Sequence, residues 1–175
     1  IEKEAITIIL SNQNWIRTQK THLDLQSEFR YREGDDKKII IHADIMDKII
    51  FFSDFGNFFS ILGKKLPSGR GFGEPLTKFF DLKKDEKIIS MFTFFDGYIA
   101  IASSDGLGFK INTNKIIAST KSGKKIFNLN PYQKAKSITI CNNKYLAVTG
   151  SNRKMIIFKL DELPELNKGK GVILQ

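Results

Sequence analysis

The chain has 175 residues, 41% of them hydrophobic and 27% charged, enough apolar mass for one large packed domain or two small ones and too much for global disorder. Its 28 lysines and arginines stand against 19 aspartates and glutamates, and the resulting +9, with a pI near 9.6, draws polyanions: nucleic acid, anionic lipid or acidic protein. Apolar runs such as Ile49-Ile50-Phe51-Phe52 are too short for a membrane helix; the lone Cys141 excludes an intramolecular disulfide frame and fits a reducing compartment; and His22 and His42 with that cysteine are too few for the usual zinc ligand set.

The chain starts at Ile1 without a positive-then-apolar leader, which reads as an excised piece of a cytoplasmic protein rather than a secreted precursor. Four segments then repeat one pattern of strand, small polar turn and strand: Ile6 to Thr18, Ile49 to Ser60, Tyr98 to Ile111 and Tyr145 to Phe158. Aligned on the turn serines Ser11, Ser53, Ser104 and Ser151, the units lie 42, 51 and 47 residues apart. The turns Asn12-Gln13-Asn14, Asp54-Phe55-Gly56-Asn57, Asp105-Gly106 and Asn152-Arg153 hold residue types suited to hairpins. No stretch of ten residues keeps a helical period. Repeats of 40 to 50 residues with two or more strands each predict an all-β domain of about four stacked, propeller-like blades, approximately 1–48, 49–97, 98–144 and 145–175.

The second halves of the units carry glycines among cations: Leu66-Pro67-Ser68-Gly69-Arg70-Gly71-Phe72-Gly73-Glu74-Pro75-Leu76, Thr120-Lys121-Ser122-Gly123-Lys124-Lys125, and Leu163-Pro164-Glu165-Leu166-Asn167-Lys168-Gly169-Lys170-Gly171. Such loops suit a phosphate backbone passing close to exposed N–H groups, or are plain connections whose glycines satisfy turn geometry. Gly69 to Gly73 is not a dinucleotide fingerprint, because Pro75 forces extended backbone and no helix follows. A P-loop is excluded because Lys125, not Ser or Thr, follows Gly123-Lys124. His42 reads as a satisfied, half-buried strand residue, Cys141 as a small core hydrophobe and Trp15 as packing between blades; the acids of unit one read as a solvated face, and no set of side chains resembles a catalytic site.

Charge is spread unevenly. The four units carry −1, +1, +7 and +2, and residues 98–144 hold 8 basic side chains against a single acid, Asp105. That imbalance favours a polyanion contact over an ordinary solvated face.

The Ile6-to-Arg17 hairpin with Trp15-Ile16-Arg17, the Leu66-to-Leu76 stretch and the Leu163-to-Gly171 stretch together resemble the C-terminal domain of the topoisomerase IV A subunit, of the gyrase A C-terminal domain type, over the whole chain. Gyrase A relatives carry a box reading Gln-Arg-Arg-Gly-Gly-Lys-Gly in their first blade; Leu23 to Lys38 lacks it, which favours topoisomerase IV and implies no strong handed DNA wrap. The resemblance implies a β-pinwheel in which neighbouring blades exchange an outer strand, in a disc with more blades than this chain supplies. It also implies a non-catalytic, cytoplasmic, nucleoid-associated domain that binds and bends duplex DNA without sequence readout and guides strand passage. The partners implied are the rest of the dimeric A subunit and the B subunit of the same enzyme; the domain itself takes no cofactor, and ATP and Mg²⁺ serve elsewhere in the parent enzyme. Tyr31, Tyr98, Tyr132 and Tyr145 lie in no matching catalytic context. The cations expected on phosphates are Arg17 and Lys20; Lys64, Lys65 and Arg70; Lys110, Lys115, Lys121, Lys124 and Lys125; and Arg153, Lys154, Lys168 and Lys170, with Gly69, Gly71, Gly73, Gly123, Gly169 and Gly171 as loop glycines. The other reading is a propeller-like disc that docks acidic protein partners; an enzymatic reading finds no residues to support it.

Overall fold

The computed structural model describes residues 2–141, 145–149, 155–159 and 164–173. Unit one forms strands β1 (Ala5–Ser11), β2 (Trp15–Lys20) and β3 (Lys37–Asp44); unit two begins with β4 (Lys48–Ser53) and β5 (Asn57–Leu62), followed by β6 (Glu74–Pro75) and β7 (Ile88–Thr93). Unit three gives β8 (Tyr98–Ser103), β9 (Leu107–Asn112), β10 (Lys124–Lys125) and β11 (Ala135–Cys141); β12 (Tyr145–Thr149), β13 (Met155–Lys159) and β14 (Val172–Ile173) complete the order. Among the described residues the only helical pieces are three-residue 3-10 turns, Gly63–Lys65, Leu76–Lys78 and Thr113–Lys115.

The strands assemble into sheet one, β3-β1-β2-β6, sheet two, β10-β5-β4-β7, sheet three, β11-β8-β9-β14, and the hairpin β12-β13. Consecutive strands form each central antiparallel hairpin, as in β4 with β5, where Phe51 pairs with Phe59. The outer strands do not follow this order. The stretch after the second hairpin returns to sheet one, where β6 pairs with β2 (Trp15 to Pro75), and the stretch after the third returns to sheet two, where β10 pairs with β5 (Asn57 to Lys125). The stretch after the fourth returns in the same way to β9 (Leu107 to Ile173). This is the strand exchange of a pinwheel, and it moves each glycine-rich loop one sheet back: the loops of units two, three and four lie on sheets one, two and three.

The apolar runs are continuous because the middle sheet is buried on both faces. Successive side chains of a strand point to opposite sides. Ile49 and Phe51 therefore enter one core with Ile8, Leu10, Phe59 and Phe80, while Ile50 and Phe52 enter a second with Phe58, Ile101, Phe109 and Phe127. Ile49, Ile50, Phe51 and Phe52 are all fully buried. Rings meet edge-on or stacked, Phe51 with Phe80 at 5.3 Å and Phe52 with Phe58 at 4.5 Å between centroids. Phe51→Ala is expected to cost about 3–5 kcal/mol and Phe52→Ala the same, each damaging a different seam. Urea unfolding of the two variants measures this, and a loss below about 1 kcal/mol in either would contradict the two-core arrangement.

The hairpin serines show a one-residue correction. The Ser11 hydroxyl accepts from the Trp15 N–H (3.1 Å), that of Ser53 from Asn57 (3.2 Å) and that of Ser103, not Ser104, from Leu107 (3.3 Å). The structural spacing is therefore 42 and then 50 residues. Two adjacent serines at the third turn hide which one closes the loop. The fourth turn, Ser151 with Asn152-Arg153, lies outside the described residues.

A glycine with positive φ precedes every exchanged strand. At Gly73 (φ +84°) an added Cβ would stand 2.0 Å from the Ile16 carbonyl oxygen, and at Gly171 (φ +79°) 2.0 Å from that of Gly108. Gly123 repeats the arrangement against Phe58 and Phe59. The outer strand lies flat on its neighbour because no side chain intervenes.

Candidate nucleic-acid interface

The expected cations divide by position. Lys64 and Lys65 occupy the 3-10 turn after β5, Lys115 the turn after β9, and Lys124 and Lys125 the edge strand β10; all five are exposed, as are Lys121, Lys168 and Lys170 on the loops leading to β10 and β14. The acid-poor stretch is thus divided in space, with Lys121, Lys124 and Lys125 on the rim of sheet two and Lys110 on sheet three. Lys110 is half-buried, its ammonium 5.8 Å from the centre of the Tyr98 ring. Arg153 and Lys154 lie outside the described residues.

Three of the expected cations converge. Lys20 at the end of β2, Lys64 and Arg70 line a cleft of about 570 Å³ at the seam of sheets one and two. The loop bearing Arg70 is carried there by the exchanged segment: the Thr18 N–H donates to the Pro67 carbonyl at 2.8 Å, alongside the Thr18 hydroxyl at 3.2 Å.

Arg17 is placed differently from the expectation. It is 5% exposed, and its guanidinium donates to the carbonyls of Gly71 (2.7 Å) and Arg30 (2.5 Å) while lying over the Tyr31 ring. Burial pushes its pKa down, with partial relief from Tyr31. Pairing at the sheet edge puts Arg17 at the position filled by Phe59 and Phe109 in the next two sheets, a core position. Its charge is committed to holding the glycine-rich loop against β2, not offered at the surface.

Among the glycines, Gly69 and Gly71 (both φ +105°) would present a Cβ to open space, while Gly169 meets only the Leu166 methyl at 3.2 Å. The tight approaches belong to Gly73, Gly123 and Gly171, so the glycine-rich motifs are in part the seating of the rim strands.

Two further cations escape a reading of the sequence. Arg30 and Arg32 are exposed on the long β2–β3 loop, and Arg32 lies 4.1 Å from the centre of the Trp15 ring. Their signal is the triplet Arg30-Tyr31-Arg32, hidden among the acids of unit one. Trp15 packs beneath this arginine. His42 is exposed rather than half-buried; it stacks on His22 (centroids 4.6 Å, planes 13° apart), and each ring donates from Nε2 to a carbonyl, His22 to Ala43 (2.9 Å) and His42 to Leu23 (2.5 Å). These bonds pin the long loop to β3.

Burial pushes the half-buried Cys141 thiol up to about 11, partly countered by Lys110. Alkylation by iodoacetamide at pH 8 is therefore expected to be slower than for glutathione by about tenfold or more, since the loss of thiolate outweighs the greater nucleophilicity of a more basic thiolate; a rate equal to that of glutathione would refute this burial. Among the described residues no group of three or more His, Cys, Asp or Glu side chains could hold a metal ion, and no helix is long and apolar enough to cross a membrane.

Three sheets linked by exchanged edge strands, each strand preceded by a glycine loop bearing cations, define a propeller-type domain, and the chain belongs to the DNA gyrase C-terminal domain, beta-propeller, family, matched over residues 47–94, 97–142 and 144–175. Along its full length it is similar to the A subunit of DNA topoisomerase 4: 42% identical to that of Caulobacter vibrioides over 176 residues, covering 100% of this chain and 23% of the relative, and 38% identical to that of Rickettsia bellii over 175 residues, covering 100% and 24%. The chain thus spans about a quarter of the curated relatives it matches. Among solved structures it superposes on the Escherichia coli ParC C-terminal domain with a TM-score of 0.85 at 28% identity, covering 98% of this chain and 71% of that one.

Proposed function

We propose that this chain is the DNA-holding disc of a topoisomerase IV A subunit, taking up duplex DNA by its phosphates and bending it along the rim, so that the whole ATP-driven enzyme selects crossings for decatenation and relaxation during chromosome segregation. The observation that carries the proposal is the exposure of Arg70, Lys121, Lys124, Lys125, Lys168 and Lys170 on exchanged strands and their loops, at the edges of three successive sheets. Cations so placed neutralise phosphates, which carry no sequence information, so binding is independent of sequence and steeply dependent on salt. The missing first-blade box favours relaxation and decatenation without introduction of negative supercoils.

The test is the mobility of short linear duplexes with permuted ends at low salt. Retardation that varies with the position of the site and vanishes near 0.3 M salt is expected for unrelated sequences alike. Salt-insensitive binding, or binding to acidic protein with none to DNA, would replace this function with the protein-docking disc. Negative supercoiling by the reconstituted enzyme would overturn the topoisomerase IV assignment.

A further inference from the structure

We infer that the seam between sheets one and two is the anchor of the DNA track, a cleft that clamps one unit of sugar-phosphate backbone with the phosphate on Lys20, Lys64 and Arg70. This inference rests on the proposed DNA-holding function and assigns its strongest contact to one place. The three cations come from separate pieces of chain, the end of β2, the 3-10 turn after β5 and the exchanged loop, yet all line the same space of about 570 Å³. Among the described residues none of the three makes an ion pair. One carboxylate, Glu4, shares the lining, which leaves the cleft strongly positive.

The floor has a different chemistry. Ile6 and Leu66 are 4% and 5% exposed, and Ile45 lies beside them. Low-dielectric walls concentrate the field of the cations, so a phosphate here is held more strongly than by the same charges on a flat face. An apolar floor beneath a cationic mouth matches a nucleotide backbone unit, whose deoxyribose presents C–H surface and whose phosphate presents charge. The volume lies within the range of sites that enclose organic ligands rather than a lone ion. Strand exchange builds this wall: without the Thr18 to Pro67 hydrogen bonds, Arg70 would not reach the seam.

The experiment measures affinity for a fluorescent 20-base-pair duplex against salt for the 175-residue chain and for the triple variant Lys20→Gln, Lys64→Gln, Arg70→Gln, with circular dichroism as the check on folding. The variant is expected to flatten the slope of log K against log salt by about 2 to 3 units and to lower affinity at 0.1 M salt on the order of a hundredfold. A photo-crosslinker on Ser68→Cys, in a Cys141→Ser background, is expected to attach to the DNA backbone and gives a readout that does not depend on the triple variant folding. An unchanged slope in a folded variant, or no crosslink, discards the anchor and leaves the proposed function standing. Salt-insensitive binding by the unmodified chain discards both. Displacement of the duplex by inorganic phosphate far beyond that by chloride at equal ionic strength makes the cleft a free-anion site and also discards the anchor.

Discussion

Gly73→Val is expected to lower stability by about 3–5 kcal/mol, and Gly171→Val by a similar amount. Two effects add at each position. A β-branched residue at a φ near +80° stores about 1–3 kcal/mol of backbone strain. The new Cβ would also stand 2.0 Å from a carbonyl oxygen of the neighbouring strand, which can be relieved only by lifting the outer strand away. Gly71→Val is the internal comparison: φ is +105° but nothing lies within 4 Å, so only the strain remains, about 1–2 kcal/mol. For a chain of this size about 4 kcal/mol corresponds to roughly 8–16 °C in melting temperature. Calorimetry that placed Gly73→Val within 2 °C of the unmodified chain, or below Gly71→Val in cost, would refute the seating role of the residue before the rim strand.

Changing Lys121, Lys124 and Lys125 together to glutamine is expected to flatten the salt dependence of DNA binding by about 2 to 3 units, because each phosphate contact contributes about 0.9 to the slope. With about six contacts in the unmodified domain, three on this rim and three in the cleft, affinity falls on the order of a thousandfold between 50 and 200 mM salt, and the triple variant loses about half of that dependence on the logarithmic scale. The effect is equal for unrelated sequences, since contacts to phosphates carry no sequence information. All three are exposed, so unfolding changes little. Lys3, Lys37 and Lys48, also exposed, provide the control, and their replacement has the smaller effect. Equal losses from the two triples would show that total charge, not the rim of sheet two, governs binding.

The hairpins were legible because their signals are local. Runs such as Ile49 to Phe52 and turns such as Asp54-Phe55-Gly56 need only neighbouring residues to be interpreted, and both appear where expected. What the residues alone did not reveal was partnership at a distance. A two-residue edge strand such as Glu74-Pro75 carries no pattern that says which sheet it joins, and only the family resemblance implied the exchange. The burial of Arg17 was within reach: setting Ser103, not Ser104, against Ser11 and Ser53 aligns Arg17 with Phe59 and Phe109. The spacing of Gly69, Gly71 and Gly73 likewise could not tell which glycine is pressed onto a neighbouring backbone, because the obstacle, Ile16, lies more than fifty residues away.

The exchanged strands also determine how the disc answers to force. A pull directed outward on β10, as a taut polymer laid over the edge would exert, acts on a segment covalently tied to β9 on one side and β11 on the other, both in the next sheet. Detaching it from β5 therefore drags on sheet three, and β14, returning from still further along the chain, ties sheet three to the fourth hairpin in turn. The load passes from sheet to sheet as in a chain of interlocked links. Cutting out residues 98–144, which look like one self-contained repeat in the sequence, would strip β10 from sheet two along with removing most of sheet three.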